Sequence, residues 1–236
     1  MTGVPSGARP AAVSPNDKAE WDAWAESYAR DVDWIEEIHN ADLAKLTCAD
    51  GARALDIGCG TGRRALAVFG RSARLTAVDF SPGMAAAARR TLAGLKQAEV
   101  LELDIEKDAL PAGLEFDAAI AVSVMHHLKD ARAALDRVKE RLAPGGVIVI
   151  VDAVCGNSPL SAARYYLEML GLHNPLKLAL AFARGLLLDT RLSRHKAREA
   201  RLTFAEFSGR YTAILPGARA EVRHGLFGYL VWKKPL

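Results

Sequence analysis

The sequence predicts an α/β domain built around a mostly parallel β-sheet, and two observations carry this prediction. From residue 52 onward, short apolar runs alternate with amphipathic helical segments, which is the pattern of β-α-β units. A glycine-rich turn, residues 58–62, stands where the first apolar run gives way to a helical segment. Glycines carry no Cβ, so the backbone there can turn tightly and approach a ligand closely. We therefore expect a ligand crevice at the carboxyl ends of the strands.

The elements of this region follow one another at short intervals. The predicted strands span residues 52–57, 75–80, 100–104, 116–122 and 147–154, and the predicted helices span 63–69, 83–95 and 131–142. Pro144-Gly145-Gly146 is a strong breaker between the last helix and the fifth strand. Extended runs over 218–223 and 226–233, separated only by His224-Gly225, predict a terminal antiparallel hairpin.

Helical segments flank this core. Trp21, Trp24 and Tyr28 recur at helical spacing, which predicts N-terminal helices over residues 17–50. Residues 157–211 read as consecutive helices, with Ser158-Pro159 and Asn174-Pro175 as starts and Thr203 as a further cap. Residues 1–16, rich in Pro, Gly, Ala and Ser, predict a disordered tail. The prediction is therefore one domain over 17–236, with its core at 52–154, a helical insertion at 157–211 and the hairpin at 218–233.

Composition narrows the class of protein. The chain has 236 residues, half of them hydrophobic, and a net charge of +3, which does not point to nucleic acid as a partner. The scattered Cys48, Cys59 and Cys155 predict neither a disulfide framework nor a metal site, and favour a reduced, cytoplasmic setting. The apolar run 176–188 contains Lys177 and Arg184, so a buried or interfacial helix fits it better than a membrane span. Peripheral membrane contact and the oligomeric state stay open.

Three kinds of ligand are considered for the glycine-rich turn. A phosphate-binding loop needs Gly-Lys-Ser/Thr, whereas Gly62-Arg63-Arg64 stands here. A nicotinamide fingerprint, G-x-G-x-x-G counted from Gly58, would need glycine where Arg63 stands. The third pattern, D-x-G-x-G-x-G, is met by Asp56, Gly58, Gly60 and Gly62. It resembles the first motif of class I S-adenosylmethionine-dependent methyltransferases.

Four further segments resemble the same family, in its order and spacing. They are Asp79-Phe80-Ser81-Pro82-Gly83-Met84, Leu103-Asp104-Ile105, residues 116–128 with their His-His-Leu ending, and Leu142-Ala143-Pro144-Gly145-Gly146. The resemblance is strongest to small-molecule and quinone methyltransferases. It implies a Rossmann-like seven-stranded sheet of order 3-2-1-4-5-7-6 with an antiparallel last strand. It also implies S-adenosyl-L-methionine as cofactor and S-adenosyl-L-homocysteine as product.

The resemblance also implies how the cofactor is held. Asp79 binds the ribose, and Asp104 accepts a hydrogen bond from the adenine amino group. Met84 packs on the adenine ring, and burial in the hydrophobic core is the alternative for this residue. Asp56 suits the cationic amino group. A tyrosine at the place of Tyr28 closes over the cofactor in relatives, and simple packing of an aromatic stripe is the alternative. The predicted cofactor set is Tyr28, Asp56, Gly58, Cys59, Gly60, Gly62, Asp79, Phe80, Met84, Asp104, Ile105 and Ser123.

Methyl transfer from a sulfonium is an in-line displacement that depends mostly on alignment and desolvation. A hydroxyl acceptor also needs a proton acceptor, and His126 is the first candidate, paired with Asp130 as in some plant-type O-methyltransferases. A purely structural role is the alternative for His126 and is favoured for His127. His173 and His195 are further candidates.

The insertion 157–211 is expected to form the acceptor lid. It holds nine Lys or Arg residues against four Asp or Glu, which suits an apolar or aromatic acceptor, quinone-like or natural-product-like, that carries negative charge. A solvated amphipathic bundle is the alternative. The predicted lid residues are Tyr165, Tyr166, Met169, His173 and Phe207.

Two rival functions stay open. A nicotinamide-dependent oxidoreductase could use the same sheet, and a non-catalytic protein could bind S-adenosylmethionine as a sensor or partner subunit. A nucleic-acid methyltransferase is disfavoured because Ser123-Val124-Met125-His126 stands where its N/D-P-P-Y/F motif would follow the fourth strand.

Overall fold

A seven-stranded β-sheet forms the centre of the protein. The computed structural model describes residues 16–29, 32, 37–72, 74–155, 158–172, 175–176, 194–195, 198–199 and 201–236. Its strands are β1 Arg53–Ile57, β2 Arg74–Asp79, β3 Ala98–Glu102, β4 Phe116–Val122, β5 Leu142–Ala153, β6 Arg219–Arg223 and β7 Phe227–Lys233. They are ordered β3-β2-β1-β4-β5-β7-β6, so the predicted strand order is confirmed.

Strand direction also follows the prediction. The strands β3, β2, β1, β4 and β5 pair in parallel, while β7 runs antiparallel to both β5 and β6. The ends of β1, β2 and β4 therefore lie together at one edge of the sheet, and the order of the chain reverses between β1 and β4. A crevice at such a point is where ligands bind in open α/β sheets.

Helices cover both faces of the sheet. They are α1 Lys18–Tyr28, α2 Asn40–Thr47, α3 Arg63–Phe69, α4 Pro82–Leu92, α5 Ala131–Arg141, α6 Pro159–Leu172 and α7 Phe204–Thr212, with short 3-10 turns at Glu37–His39 and Met125–His127. On one face, α5 and α7 bury Leu135, Val138 and Tyr211 against the sheet. On the other face, Leu43 of α2 and Phe69 of α3 belong to a second buried cluster.

The third and fifth strands differ from the sequence prediction by more than one residue at a boundary. The fifth strand begins at Leu142 instead of residue 147, because Gly145 takes a positive φ of 75° and its N–H donates to the carbonyl of Lys234. The Pro-Gly-Gly segment is thus an irregular start of the strand. The third strand ends at Glu102 instead of Asp104; it lies at the sheet edge, where alternating exposure leaves no clear apolar run to mark it.

Several predictions concern residues beyond the described ones. Residues 1–15, Asn157, His173, Asn174 and most of 176–194 are in this group, so the predicted tail, the helix start at Asn174-Pro175 and the interfacial helix stay predictions. Within the described part of the chain, no helix is both long enough and apolar enough to span a membrane.

Candidate active site

The turn after β1 depends on glycine at three positions. Gly58, Gly60 and Gly62 have positive φ angles of 63°, 54° and 77°, a region that favours glycine. A Cβ on Gly58 would lie 2.5 Å from Val124 Cγ2, and one on Gly62 would lie 3.1 Å from Ala88 Cα. A Cβ on Gly60 would meet only Tyr28 Cε1, at 3.9 Å. Gly58 and Gly62 are therefore needed for packing, while Gly60 faces open space.

Asp79 joins this turn to the end of β2. Its Oδ2 accepts a 2.9 Å hydrogen bond from the N–H of Gly60, and its Oδ1 accepts one of 2.9 Å from the N–H of Ser81. The residue is only 7% exposed, and burial raises the pKa of its carboxyl to about 6, against the two hydrogen bonds that lower it. The structure thus holds a buried acid at the strand end where the sequence predicts one.

A cavity of about 510 Å³ opens at the ends of β1, β2 and β4. This volume is within the range of small-molecule and cofactor sites. Ten of the twelve residues of the predicted cofactor set line it: Tyr28, Gly58, Cys59, Gly60, Asp79, Phe80, Met84, Asp104, Ile105 and Ser123. The sequence pattern and the cavity therefore coincide.

The other two members of the predicted set lie behind the cavity wall. Asp56 is fully buried within β1, between Ala77 and Ile120 on the neighbouring strands. Gly62 caps α3 and packs against α4. Asp56 is therefore not placed to contact a ligand amino group in the described cavity.

Asp104 lies beyond its strand, not at its end. It follows β3 by two residues, accepts from the N–H of Glu106 at 3.0 Å and pairs with Lys107 Nζ at 2.7 Å. Its side chain is about a quarter exposed, at 24%, and it still lines the cavity. The acid therefore stands at the open side, beside Leu103 and Ile105.

The N-terminal helix α1 closes one side of the cavity. Asp22 of this helix accepts hydrogen bonds from the Ser81 hydroxyl and from the N–H of Gly83 at 3.0 Å. Ser81 caps α4, accepting from the N–H of Met84. The Ser81 contact is the main reason that the pKa of Asp22 lies below its usual range. This docking brings Trp21 and Tyr28 to the cavity wall.

The two adjacent histidines after β4 differ from the sequence prediction in which of them lines the cavity. His127, expected to be structural, lines the cavity, whereas His126, the expected proton acceptor, is buried and is not among the described lining residues. Both lie in the 3-10 turn Met125–His127, with ring centroids 4.0 Å apart. The partner of His126 is Asp152, whose Oδ1 lies 2.9 Å from His126 Nδ1.

Asp130, the partner predicted for His126, has a different role. Its side chain accepts a 2.9 Å hydrogen bond from the N–H of Ala133 and so caps α5. Asp152, 2% exposed, stands near the end of β5 and also accepts from the Tyr211 hydroxyl at 3.5 Å. The expected His126–Asp130 pair is therefore wrong, because the local H-x-x-x-D spacing is used for a helix cap.

The described residues of the predicted lid do not reach the cavity. Phe207 of α7 is fully buried against Gly228 of β7, so it belongs to the core. Tyr165 and Met169 are buried in the cluster on the other face, and Tyr166 is 47% exposed. The remaining lid candidate, His173, is outside the described residues.

Sequence reasoning missed several residues of the site. Asp22 and Asp152 come from elements remote in sequence, and the cavity also receives Glu37, Asn40, Arg63 and Arg64. Asp152 could have been noticed as an acid near the end of a predicted strand, like Asp79. Asp22 gives no such signal, because its role depends on how α1 docks.

Part of the chain is similar to known methyltransferases. Residues 55–148 match the methyltransferase domain family. Trans-aconitate 2-methyltransferase of Methylobacterium nodulans is 35% identical over 136 residues, which are 56% of this chain and 49% of that protein. Demethylmenaquinone methyltransferase of Clavibacter sepedonicus is 34% identical over 122 residues, 50% of this chain and 48% of that protein. The chain thus spans about half the length of these curated relatives.

Similarity in fold extends over almost the whole chain. The structure of the DhpI–SAH complex matches with a TM-score of 0.62 and 20% identity, covering 92% of this chain and 94% of that one. At this identity the likeness supports the Rossmann-like fold and leaves the chemistry to be argued from the site.

Proposed function

We propose that the chain is a class I S-adenosylmethionine-dependent methyltransferase that transfers a methyl group from S-adenosylmethionine to a small-molecule acceptor. The observation that carries this proposal is the pairing of the glycine turn with Asp79 at the base of the cavity. The turn offers a backbone surface free of side chains, and the acid offers a charged acceptor for hydroxyl groups.

Asp79 is equipped to hold a ribose diol. An ionised carboxylate has about four lone-pair sites. Two of them accept from Gly60 and Ser81, which fixes the orientation of the group and leaves the others for a ligand. Because the residue is buried, a hydrogen bond from a ribose hydroxyl would be little weakened by water.

The neighbouring wall suits an adenine ring. Phe80, Met84, Leu103 and Ile105 line this part of the cavity, and Asp104 stands at its open side. Apolar side chains can sandwich a flat ring, while a carboxylate at the edge accepts from its exocyclic amino group.

Aromatic and positively charged side chains also line the cavity. Trp21, Tyr28 and His127 line the cavity, and so do Arg63 and Arg64. This lining supports an apolar or aromatic acceptor with a negatively charged group, quinone-like or natural-product-like. One similar protein is named as a trans-aconitate methyltransferase and another as a demethylmenaquinone methyltransferase. The first name refers to a negatively charged acceptor and the second to an apolar aromatic one, so both agree with the proposed acceptor.

For a hydroxyl acceptor we propose His126 as the proton acceptor. Asp152 is hydrogen-bonded to Nδ1, an arrangement that holds the imidazole in one tautomer and leaves Nε2 as the basic atom. The acceptor oxygen then bonds to the methyl carbon as the carbon–sulfur bond breaks, sulfur keeps the electron pair, and the acceptor proton goes to Nε2. His127 lines the cavity and its ring centroid lies 4.0 Å from that of His126, so the proton passes to His126 through His127 or water in this proposal.

Calorimetry tests the cofactor first. Purified protein is titrated with S-adenosylmethionine, with S-adenosylhomocysteine and with NADH, and we expect binding of the first two alone. The Asp79→Ala variant should bind both weakly, whereas Asp117→Asn, which alters a surface ion pair with Arg53, should bind normally. Tight NADH binding without adenosyl binding would support an oxidoreductase and contradict the proposal.

Transfer of a labelled methyl group then tests catalysis. A panel of phenols, hydroquinones, unsaturated carboxylic acids and amines is incubated with labelled cofactor, and we expect product with at least one anionic aromatic or apolar member. Binding of the cofactor without transfer to any member would favour a non-catalytic binding protein.

A further inference from the structure

A second group of chemistry-bearing side chains adjoins the cavity at His127. His126, His127 and Glu199 place ligand atoms within 4.8 Å of one another. His195 joins them, since its Nε2 lies 3.7 Å from Glu199 Oε1. All three histidines are buried, and Glu199 is 14% exposed. The sequence predicts no metal site here, because His127 and His195 are 68 positions apart and no local spacing links them.

The distances within this group fit a shared ion better than hydrogen bonds. Glu199 Oε1 lies 3.9 Å from His126 Nε2 and 3.7 Å from His195 Nε2, beyond hydrogen-bond range. Two ligands at 2.0–2.1 Å from a tetrahedral Zn²⁺ stand about 3.4 Å apart, so a closure of less than about 1 Å would bring these atoms onto one ion.

Neighbouring residues already orient the group as ligands require. Asp152 is hydrogen-bonded to Nδ1 of His126, which directs Nε2 toward Glu199. Arg201 donates two hydrogen bonds to Glu199 Oε2, which leaves Oε1 to face the imidazoles. A histidine whose other nitrogen is held by a carboxylate is the usual outer arrangement of a metal site.

We propose that His126 Nε2, His127 and Glu199 Oε1 bind a divalent first-row cation, best matched by Zn²⁺, with His195 Nε2 within reach as a fourth ligand. Imidazole nitrogens with one carboxylate are a ligand set that zinc takes in proteins, and a site of this kind can leave a position for water or substrate. The cation joins the 3-10 turn after β4 to the segment that carries His195 and Glu199.

The position gives the cation a place in the proposed reaction, and this step rests on the proposed function. His127 lines the cavity, so the positive charge lies next to the acceptor and favours an ionised acceptor oxygen. With the cation bound, His126 Nε2 is a ligand and is no longer the proton acceptor. His126 Nε2 is therefore the proton acceptor in the metal-free protein and a ligand in the metal-bound protein, and the metal dependence of methyl transfer shows which form is active.

The experiment measures metal content and binding on the full chain. Chelator-treated protein is titrated with Zn²⁺ by calorimetry, and Co²⁺ is added in parallel to follow its visible absorption. We expect one Zn²⁺ per chain and a Co²⁺ spectrum of a four- or five-coordinate site. Glu199→Gln should weaken Zn²⁺ binding by about 10- to 100-fold, since it removes a charged ligand while keeping its shape.

His224→Gln provides the matched control, because His224 also lies between two acids, Asp42 and Glu168, but away from this group. It should bind Zn²⁺ as the unaltered protein does. Failure to bind Zn²⁺ or Co²⁺ stoichiometrically, or binding that Glu199→Gln leaves unchanged, would overturn the proposal. S-adenosylhomocysteine binding by the metal-free protein is measured separately, so that loss of the metal proposal is distinguished from loss of the proposed function.

Discussion

The N–H of Gly60 donates a 2.9 Å hydrogen bond to Asp79 Oδ2, and this contact ties the turn after β1 to the end of β2. A second hydrogen bond, from the N–H of Ser81 to Oδ1, fixes the same carboxylate from its own chain. One buried acid therefore orders both the backbone that faces the cavity and the start of α4. Changes at Asp79 should consequently affect the ligand site more than the rest of the fold.

Replacing Asp79 by alanine should weaken S-adenosylhomocysteine binding by about 10- to 100-fold, because two backbone donors and a ligand lose a charged acceptor. Asp79→Asn keeps the shape and should fall between alanine and the unaltered protein. Calorimetry gives the dissociation constants. Equal affinity of all three proteins would show that Asp79 does not hold the ligand.

The affinity should also depend on pH. Burial is the main cause that raises the pKa of Asp79 from 3.8 to about 6, so the carboxyl takes up a proton as the pH falls through about 6. The protonated acid accepts hydroxyl hydrogen bonds poorly, so cofactor binding should weaken from pH 7 to pH 5. Asp79→Asn should lack this slope, and an unchanged slope in that variant would assign it to another group.

The same raised pKa predicts how the ligand-free protein responds. The folded chain retains a proton that the unfolded chain releases between pH 3.8 and about 6, so the contribution of Asp79 to the free energy of unfolding falls as pH rises through this window. Denaturant titrations from pH 4.5 to pH 6.5 measure it. Asp79→Asn should remove this contribution, and a stability difference between the two proteins that does not vary with pH would contradict it.

Gly58 and Gly60 offer a matched pair of substitutions. Gly58→Ala adds a Cβ 2.5 Å from Val124 Cγ2 at a positive φ, so it should lower the free energy of unfolding by more than about 2 kcal/mol. Gly60→Ala has the same kind of φ and no close neighbour, so it should cost about 1 kcal/mol and mainly reduce ligand binding. Thermal and chemical unfolding compare the two, and equal losses of stability would refute the steric argument.

Most of the cavity could be predicted from the sequence because it depends on local signals, whereas the strand order followed from the family resemblance. The glycine turn, Asp79 and Met84 follow directly from where strands end and helices begin. Thr203 is a further example: it was predicted as a helix cap, and it forms a complete capping box with Glu206. In each case the residues that decide the structure are neighbours in the chain.

Contacts between distant elements could not be predicted in this way. Nothing local tells whether His126 or His127 faces the cavity, because both lie in one short 3-10 turn and both are buried. The partner of His126 comes from β5, and Glu199 comes from a segment far along the chain. The role of Phe207 was mistaken for a similar reason: its aromatic character suits a lid and a core equally, and α7 packs onto β7.

Docking of α1 should control how well the cavity closes. Asp22 accepts from Ser81 and Gly83, and a Cβ on Gly83 would lie 3.0 Å from the backbone of Asp22. Asp22→Asn should weaken cofactor binding by about 3- to 10-fold through loss of charged hydrogen bonds that hold Trp21 and Tyr28 in place. Asp17→Asn, which alters only the exposed cap of α1, is the control. Calorimetry measures both, and equal effects would contradict a specific role for Asp22.

The assignment of Asp152 as the partner of His126 gives a sharp test against the sequence-based pair. Asp152→Asn removes the charge that orients the imidazole, and it should reduce methyl transfer to a hydroxyl acceptor by at least about 100-fold while S-adenosylhomocysteine binding stays within about 2-fold. Asp130→Ala removes the cap of α5 instead, so it should lower the free energy of unfolding by about 1 kcal/mol and leave turnover nearly unchanged. The rate of methyl transfer is also measured against pH for the unaltered protein and for Asp152→Asn. A loss of activity caused only by altered structure would lower the rate without changing its pH dependence. If Asp130→Ala loses turnover at full stability and Asp152→Asn does not, the His126–Asp152 pair has no role in the reaction.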